Sequence, residues 1–518
     1  MMHRRRFVSD LTKAAALCAA VPNSWQITWH PTFADDPFAL GVASGDPTPT
    51  GAVIWTRLAP RPFEPEGGMP GNRPIVDWEV ADDEQFTRIV RKGRYTAAPE
   101  LSYSVHVDVE GLEADRWYFY RFRSGGAVSP VGRLRTAPAD GAMTPLRFGM
   151  VSCQNYEQGL YTAYQHLAQE RCDLITHLGD YIYEYSARAG AVRPHQGFEI
   201  RSLDQYRTRY AQYKLDPLLQ AAHALCPWLV TWDDHEVDNN YAGNHEERGA
   251  PVEQFLLRRA AAYQAYYEHM PLRRTAMPTG PNLQLYRRLH FGELLALHML
   301  DTRQHRTPQP CHDGFVASCA GAQDPAATIL GSAQERWLLE GLTPTQARWN
   351  VVANQVPFVP VTRRRGAADW NGEGTPALSM DKWDGYAVQR ARIHRHLRDA
   401  QVSNPIIITG DVHVSWVADI PSKLENPLSA PIGTEFVGTS ISSGGSGQAL
   451  SPMGAGLLAD NPHARYFNGQ RGYVRCRATH DLLTVDYRVV DAVERPTADI
   501  TTHRSFIVAA GRPGVQPA

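Results

Sequence analysis

The sequence predicts a multidomain protein, an N-terminal antiparallel β-sandwich followed by a larger layered α/β domain. Three observations carry that prediction. From about Pro37 to Pro138 the chain runs in short segments with apolar residues at alternate positions, broken by Gly, Pro and Asp, as half-buried strands joined by turns do. From Leu146 onward, β-branched runs alternate with stretches whose apolar residues recur at helical spacing, the pattern of stacked α and β layers. The chain also has 518 residues, more than one hydrophobic core usually organises.

The elements follow in chain order. Arg4-Arg5-Arg6-Phe7-Val8 precedes Lys13 and a weakly apolar, Ala-rich run from Ala14 to Val21. A twin-arginine pair ahead of a mild hydrophobic stretch resembles a twin-arginine export signal, so residues 1–34 are expected to be an address rather than a fold. The same residues would also suit the basic N-terminus of a cytosolic protein. The export reading makes the protein periplasmic or secreted, with the twin-arginine translocation machinery as a partner.

Residues 37–138 form the first domain, with strands expected around Ala52–Thr56, Asp77–Val80, Tyr103–Val109 and Trp117–Arg123. Their number and length suit an immunoglobulin- or fibronectin-like sandwich. Thr136–Gly141 reads as a linker. Residues 146–512 form the second domain, with strands expected at Arg147–Val151, Leu174–Leu178, Leu229–Trp232, Leu294–Leu300, Val351–Ala353, Ile406–Thr409 and Glu435–Thr439. Helices are expected at Leu160–Arg171, Val252–Tyr267 and Gln334–Leu342.

Charge and cysteine content narrow the function classes. Lys and Arg number 52 against 54 Asp and Glu, a net charge of −2 with no long basic run, so no stable nucleic-acid complex is expected. Past the N-terminus no apolar stretch approaches the ~18 residues of a membrane span, so the mature protein should carry no transmembrane anchor. Of the seven cysteines, Cys18 would leave with the signal, and Cys311 and Cys319 could pair in a Pro/Gly-rich loop. Cys172 and Cys226 read as buried thiols, and the absence of any Cys-x-x-Cys pair argues against an iron–sulfur or structural zinc role.

Four polar clusters each follow an apolar run: Val151-Ser152-Cys153, Gly179-Asp180-Tyr181-Ile182-Tyr183, Trp232-Asp233-Asp234-His235-Glu236 and Gly410-Asp411-Val412-His413. Taken singly, each has an ordinary explanation as a turn, a helix cap or a packed thiol. Together, at the ends of successive strands where ligands of such sheets gather, they point to a metal-dependent phosphoesterase. Asp180 is placed to bridge two ions. Fe(III) stabilises phenolate and thiolate, which suits Tyr183 and Cys153, with His413 as imidazole ligand. Asp234, Asn354 and Asp411 are oxygen donors that suit a harder ion such as Ca²⁺.

These motifs carry a resemblance to the alkaline phosphatase D (PhoD-like) family of phosphatases and phosphodiesterases. It extends over nearly the full length, through Phe38–Pro47, Ser152-Cys153-Gln154-Asn155, Leu178–Glu184, Thr231–Asn240, Leu300–Gln304, Asn354–Phe358, Thr409–His413 and Glu435–Ser440. The resemblance implies an α/β, four-layer, calcineurin-like metallophosphatase domain behind the sandwich, with Fe(III) and Ca²⁺ as cofactors. Cys153, Asp180, Tyr183 and His413 would hold iron; Asp180, Asp234, Asn354 and Asp411 would serve calcium. His235 would hydrogen-bond the phosphoryl oxygen or protonate the leaving alkoxide. Arg303 is expected either to clamp phosphate or to form an ion pair with Asp301.

The expected reaction is hydrolysis of phosphate mono- or diesters by a metal-bound hydroxide, without a covalent intermediate, since neither Gly-x-Ser-x-Gly nor an Asp-Ser pair is present. Asp233, Asp238, Asn239 and Asn240 are expected to position loops, and Arg363–Lys382 to form a lid. Two alternatives stay open. One is a secreted phosphodiesterase or phospholipase D-type enzyme acting on a lipid, nucleotide or teichoic-acid-like substrate. The other is a non-catalytic secreted binding protein.

Overall fold

The computed structural model describes residues 31–317, 319–343, 346–365 and 374–518. Nearly all of the expected export signal, and the middle of the expected lid, lie outside the described residues. The chain divides into two compact units, the first made of residues up to Thr136 with Glu199–Trp228 and Glu253–Gln284, the second of Ala137–Phe198, Leu229–Val252 and Leu285–Ala518.

In the first unit, the strands Val42–Thr48, Gly51–Arg57 and Ser104–Glu110 pair antiparallel. A second antiparallel sheet has Ile75–Ala81 between Ile89–Thr96 and Trp117–Ser124, with Ala127–Val128 and Gly132–Arg135 also pairing to the last. Side-chain alternation joins the two sheets. Ile54, Val105 and Val107 from one and Val76, Val80, Tyr118, Tyr120 and Phe122 from the other are buried in a single core, which is the expected sandwich.

The helices Leu203–Lys214 and Pro217–Leu225, and most of Val252–His269, also belong to this unit. The first begins at a capping box between Ser202 and Gln205, the second at Asp216 ahead of a proline. The indole N–H of Trp55 donates to the carbonyl of Glu268 at 3.1 Å, tying the third helix to the first sheet. These helices therefore pack with the sandwich although they lie beyond residue 140 in sequence. An apolar helix face announces that it will be buried, but not in which core.

The second unit contains a seven-stranded sheet in the order Arg287–Phe291, Leu295–Met299, Trp349–Asn354, Pro405–Thr409, Asn426–Val437, Ser415–Lys423, Ala464–Asn468. Its central pairs are parallel. Its other sheet runs from Arg512–Pro517 through Ile500–Ala509, Leu482–Val490, Gly472–Ala478, Leu146–Val151 and Leu174–Leu178 to the strand ending at Thr231. Val351, Ala353, Ile406, Ile408 and Phe436 face a core shared with Phe148, Met150 and Val474 of the other sheet. Their neighbours Val352, Ile407 and Val437 face the opposite way, towards Leu338, Ile393 and Leu457 on the helices Gly331–Leu342, Ala387–Asp399 and Pro452–Asp460.

This two-residue alternation gives three of the layers. The fourth is the short helix Thr162–Leu167, whose Leu167 covers Gly149. The helix is shorter than Leu160–Arg171 because the chain turns at Arg171, which has a positive φ of 52°, to enter the strand at Leu174. Cys311 and Cys319 form a disulfide, and Cys172 and Cys226 are buried thiols. Among the described residues no helix is long and apolar enough to cross a membrane.

Candidate metal centre

Each expected ligand cluster leaves the end of a strand of the second unit. Leu146–Val151 delivers Cys153, Leu174–Leu178 delivers Asp180 and Tyr183, the strand ending at Thr231 delivers Asp234 and His235, and Pro405–Thr409 delivers Asp411 and His413. Asn354 is the last residue of its own strand. Cys153, Asp180, Asp411 and His413 all have positive φ, between 56° and 68°. Four such non-glycine residues in the left-handed region carry backbone strain, which the surrounding fold must hold in place.

The geometry gathers these side chains. One ligand atom from each of Cys153, Asp180 and His413 lies within 4.8 Å of the others, and the same holds for Asp180, Asp234 and His235. Asp180 belongs to both groups. The Tyr183 hydroxyl donates to Asp180 Oδ2 at 2.9 Å and lies 3.2 Å from His413 Nε2. The thiol of Cys153, the phenol of Tyr183 and the imidazole of His413 are therefore neighbours, the first two buried and the third partly buried. Asp411 is in neither group and accepts from Lys382 at 2.7 Å, and Asn354 Oδ1 accepts from Trp383 at 3.3 Å.

Several residues hold the ligands from behind. Glu236 accepts backbone N–H groups of Asp180, Tyr181 and Asp233 at 3.2, 2.6 and 2.9 Å, which staples two strand ends together. Asn240 donates its backbone N–H to Asp234 Oδ2 at 2.7 Å, and Asn239 donates its own to Glu184 Oε1 at 3.0 Å. His235 Nδ1 lies 2.8 Å from Glu184 Oε2. Ser443 Oγ is 2.7 Å from the Tyr183 oxygen. Arg471 binds the carbonyls of His413 and Ser443.

Arg303 does not pair with Asp301 through its guanidinium. That group is fully buried, takes Asp233 through Nε and grips Asp381 with both Nη atoms at 2.9 and 3.1 Å. Its donors are spent on carboxylates. Asp301 instead accepts the backbone N–H of Arg303 at 3.1 Å. Glu184, Asp381, Lys382, Ser443 and Arg471 are absent from the sequence-derived set. Glu184 adjoins Tyr183 in sequence, and Asp381 and Lys382 close the segment expected as a lid; Ser443 and Arg471 come from distant loops.

The electrostatics test whether cations suit these residues. Burial, reinforced by Asp234, Asp233 and Glu236 and opposed by His235, pushes the Asp180 carboxyl well above its usual range. Burial and the nearby Asp180 do the same to the Cys153 thiol and the Tyr183 phenol. Burial, with Arg471 and His235, lowers His413 to about 3, so it stands as a neutral imidazole with a lone pair to offer. Asp180 Oδ1 is buried and accepts no hydrogen bond from the described residues, an arrangement that costs about 1–3 kcal/mol or more when left uncompensated. Thiol, phenol, carboxylate and neutral imidazole around an orphaned oxygen fit a multivalent cation. Asp234, Asn354 and Asp411 offer oxygen donors, the kind a harder ion takes.

The chain matches known proteins along most of its length. Residues 148–487 match the PhoD-like phosphatase family, and residues 23–138 match the PhoD-like phosphatase N-terminal domain. The chain is similar to alkaline phosphatase D of Bacillus subtilis (strain 168), with 46% identity over 526 residues, covering 99% of this chain and 88% of that protein. It is also similar to the solved structure of PhoD, with a TM-score of 0.90 and 47% identity, covering 94% of this chain and 93% of that one. A purple acid phosphatase, PPD1 of yellow lupin (Lupinus luteus) seeds, shares the fold at a TM-score of 0.54 and 12% identity, over 92% of this chain and 75% of that one. With both parts of the family matched in order along the sequence, the chain belongs to the PhoD-like phosphatase family.

Proposed function

We propose that the chain hydrolyses phosphate esters at this centre, with Cys153, Asp180, Tyr183 and His413 holding Fe(III) and Asp180, Asp234, Asn354 and Asp411 holding Ca²⁺. The observation that carries the reading is Asp180, common to two buried ligand groups and left with an unpaired oxygen. When bound, the ions supply Lewis acidity to the phosphoryl oxygens and make water acidic enough to ionise at working pH.

The protein's own groups do the rest. Glu184 holds the Nδ1 side of His235, which leaves Nε2 as the working atom for the leaving alkoxide. Burial opposes charge on His235, but the neighbouring Asp234, Glu184 and Asp180 favour its protonated form, the form that could donate to a leaving alkoxide. Arg303 serves as a positioning residue for Asp233 and Asp381 rather than as a phosphate clamp, because its donors already face those carboxylates. Export by the twin-arginine route belongs to the same reading. It is supported by Arg4-Arg5-Arg6 and by the Cys311–Cys319 disulfide, a bond that persists in oxidising compartments.

Elemental analysis of protein purified without chelator, beside Asp180→Asn, tests the proposal on aryl monophosphates and bis-aryl phosphates. Iron and calcium should be present in the wild type and depleted in the variant, with turnover lost alongside them. Zinc alone would remove the iron–calcium assignment, and full activity in Asp180→Asn would remove the mechanism.

A further inference from the structure

Three consecutive residues, Asp381, Lys382 and Trp383, each reach a different part of the hard-cation side of the centre. Asp381 grips Arg303, which in turn holds Asp233. Lys382 places its ammonium 2.7 Å from Oδ1 and 2.6 Å from Oδ2 of Asp411, and 3.0 Å from Asp381 Oδ2. Trp383 donates its indole N–H to Asn354 Oδ1 at 3.3 Å. Charges therefore alternate along Asp233, Arg303, Asp381, Lys382 and Asp411.

The segment lies between the strand Thr375–Ser379 and the short 3-10 helix Trp383–Tyr386, and it is fixed from several sides. Asp381 Oδ1 also accepts from Arg306 at 2.7 Å and from Gln309 at 2.8 Å. The buried Trp383 ring meets Phe358 edge-on at 5.2 Å between centroids. Lys382 is thus delivered to Asp411 by a braced backbone, and its side chain is only 16% exposed.

The oxygens that Lys382 and Trp383 occupy belong to Asp411 and Asn354, two of the four residues assigned to Ca²⁺. An ammonium is a point charge on a flexible stem. It can neutralise a carboxylate without the many-sided coordination that Ca²⁺ requires. We propose that Lys382 is a built-in competitor for the hard-cation position, holding Asp411 in place and setting calcium affinity because the incoming ion must displace the ammonium. Trp383 acts in the same sense, more weakly, at Asn354. The inference rests on the calcium assignment made above and adds the residue that tunes it. A purely structural ion pair would alter stability and leave cation affinity unchanged.

Calorimetric titration of Ca²⁺ into the chelator-stripped full-length protein separates these cases, with melting curves recorded with and without Ca²⁺. Lys382→Met should bind Ca²⁺ about tenfold more tightly than wild type, as expected when a like charge beside the ion is removed. Stripped Lys382→Met should melt below the stripped wild type, and saturating Ca²⁺ should abolish the difference. Lys382→Arg, which keeps the charge, should remain close to wild type. Trp383→Phe keeps an aromatic ring but loses the donor, and should tighten binding in the same direction by a smaller factor, giving a second arm if Lys382→Met does not fold. Unchanged or weaker Ca²⁺ binding in both Lys382→Met and Trp383→Phe overturns the competition. Failure of the wild type to bind Ca²⁺ at all overturns the calcium assignment and this inference together.

Discussion

Gly179 has a φ of 102°, and a Cβ placed on it would lie 2.5 Å from the Cβ of Asp233 and 2.6 Å from its backbone nitrogen. The residue before the shared ligand is thus pressed against the loop that carries Asp234 and His235. Only glycine combines that dihedral with that approach. Gly410, ahead of Asp411, stands similarly close to Ser152, with a Cβ there 2.8 Å from the serine Cβ.

Gly179→Ala should therefore separate Asp180 from Asp234. Strain and overpacking together should cost about 3 kcal/mol. Metal content and turnover should fall with the melting temperature, as chemical denaturation, elemental analysis and steady-state assays would report. Wild-type metal content in this variant would contradict the close-approach argument.

His235→Gln distinguishes a general acid from a ligand. As the acid, its loss should lower kcat by ~10²–10⁴ for esters of poorly acidic alcohols and by much less for nitrophenyl esters, whose leaving group needs little protonation. Metal content should stay at the wild-type level. Depletion of metal would instead make His235 the third member of the ligand group it shares with Asp180 and Asp234.

Ser443 tests the state of Tyr183. Its Oγ lies 2.7 Å from both the Tyr183 oxygen and the Cys153 carbonyl, and accepts the Asn155 N–H at 3.1 Å. With phenolate bound to Fe(III), its hydroxyl hydrogen should turn to the phenolate oxygen. Ser443→Ala should then shift the visible charge-transfer band to longer wavelength while leaving iron bound. An unshifted band would mean that the hydrogen stays with the carbonyl.

Lys214, in the first unit, gives a pH dependence of its own. Burial lowers it to about 7, and its ammonium nitrogen lies 4.3 Å from the centre of the Trp55 ring. The unfolded value is about 10.4. Between these values the unfolded chain binds a proton that the folded chain does not, so stability falls as pH drops through this window and the loss is complete below about 7. Lys214→Met should remove that slope and be more stable than wild type at pH 7, as measured by urea denaturation across the window.

Much of this architecture was legible because backbone pattern and residue type report the same physics. Leu174–Leu178 is a strand with the bounds the sequence suggested, and Ile406–Thr409 differs by one residue. Apolar β-branched runs bury both faces, and a Gly-Asp that follows must turn. The candidate ligands were legible for the same reason, since oxygen, sulfur and imidazole donors stood at four such ends. What could not be read was which distant chain segment meets them. The sequence leaves Arg303 either to clamp phosphate or to pair with Asp301, two residues away, yet its guanidinium lies on Asp233 and Asp381, 70 and 78 residues distant. In Leu482–Val490 apolar residues alternate with polar and charged ones, so no apolar run marks that strand.

By itself the sequence determined the two kinds of layer, the strand ends that carry donors and the chemical character of those donors, because these depend on local periodicity and on what each side chain is. Only the tertiary structure decided that Arg303 lies on Asp233 and Asp381, that Lys382 faces Asp411, and that Cys153, Asp180, Asp411 and His413 hold left-handed backbone. Those outcomes depend on long-range packing, which brings strained turns together and supplies the contacts that keep them there.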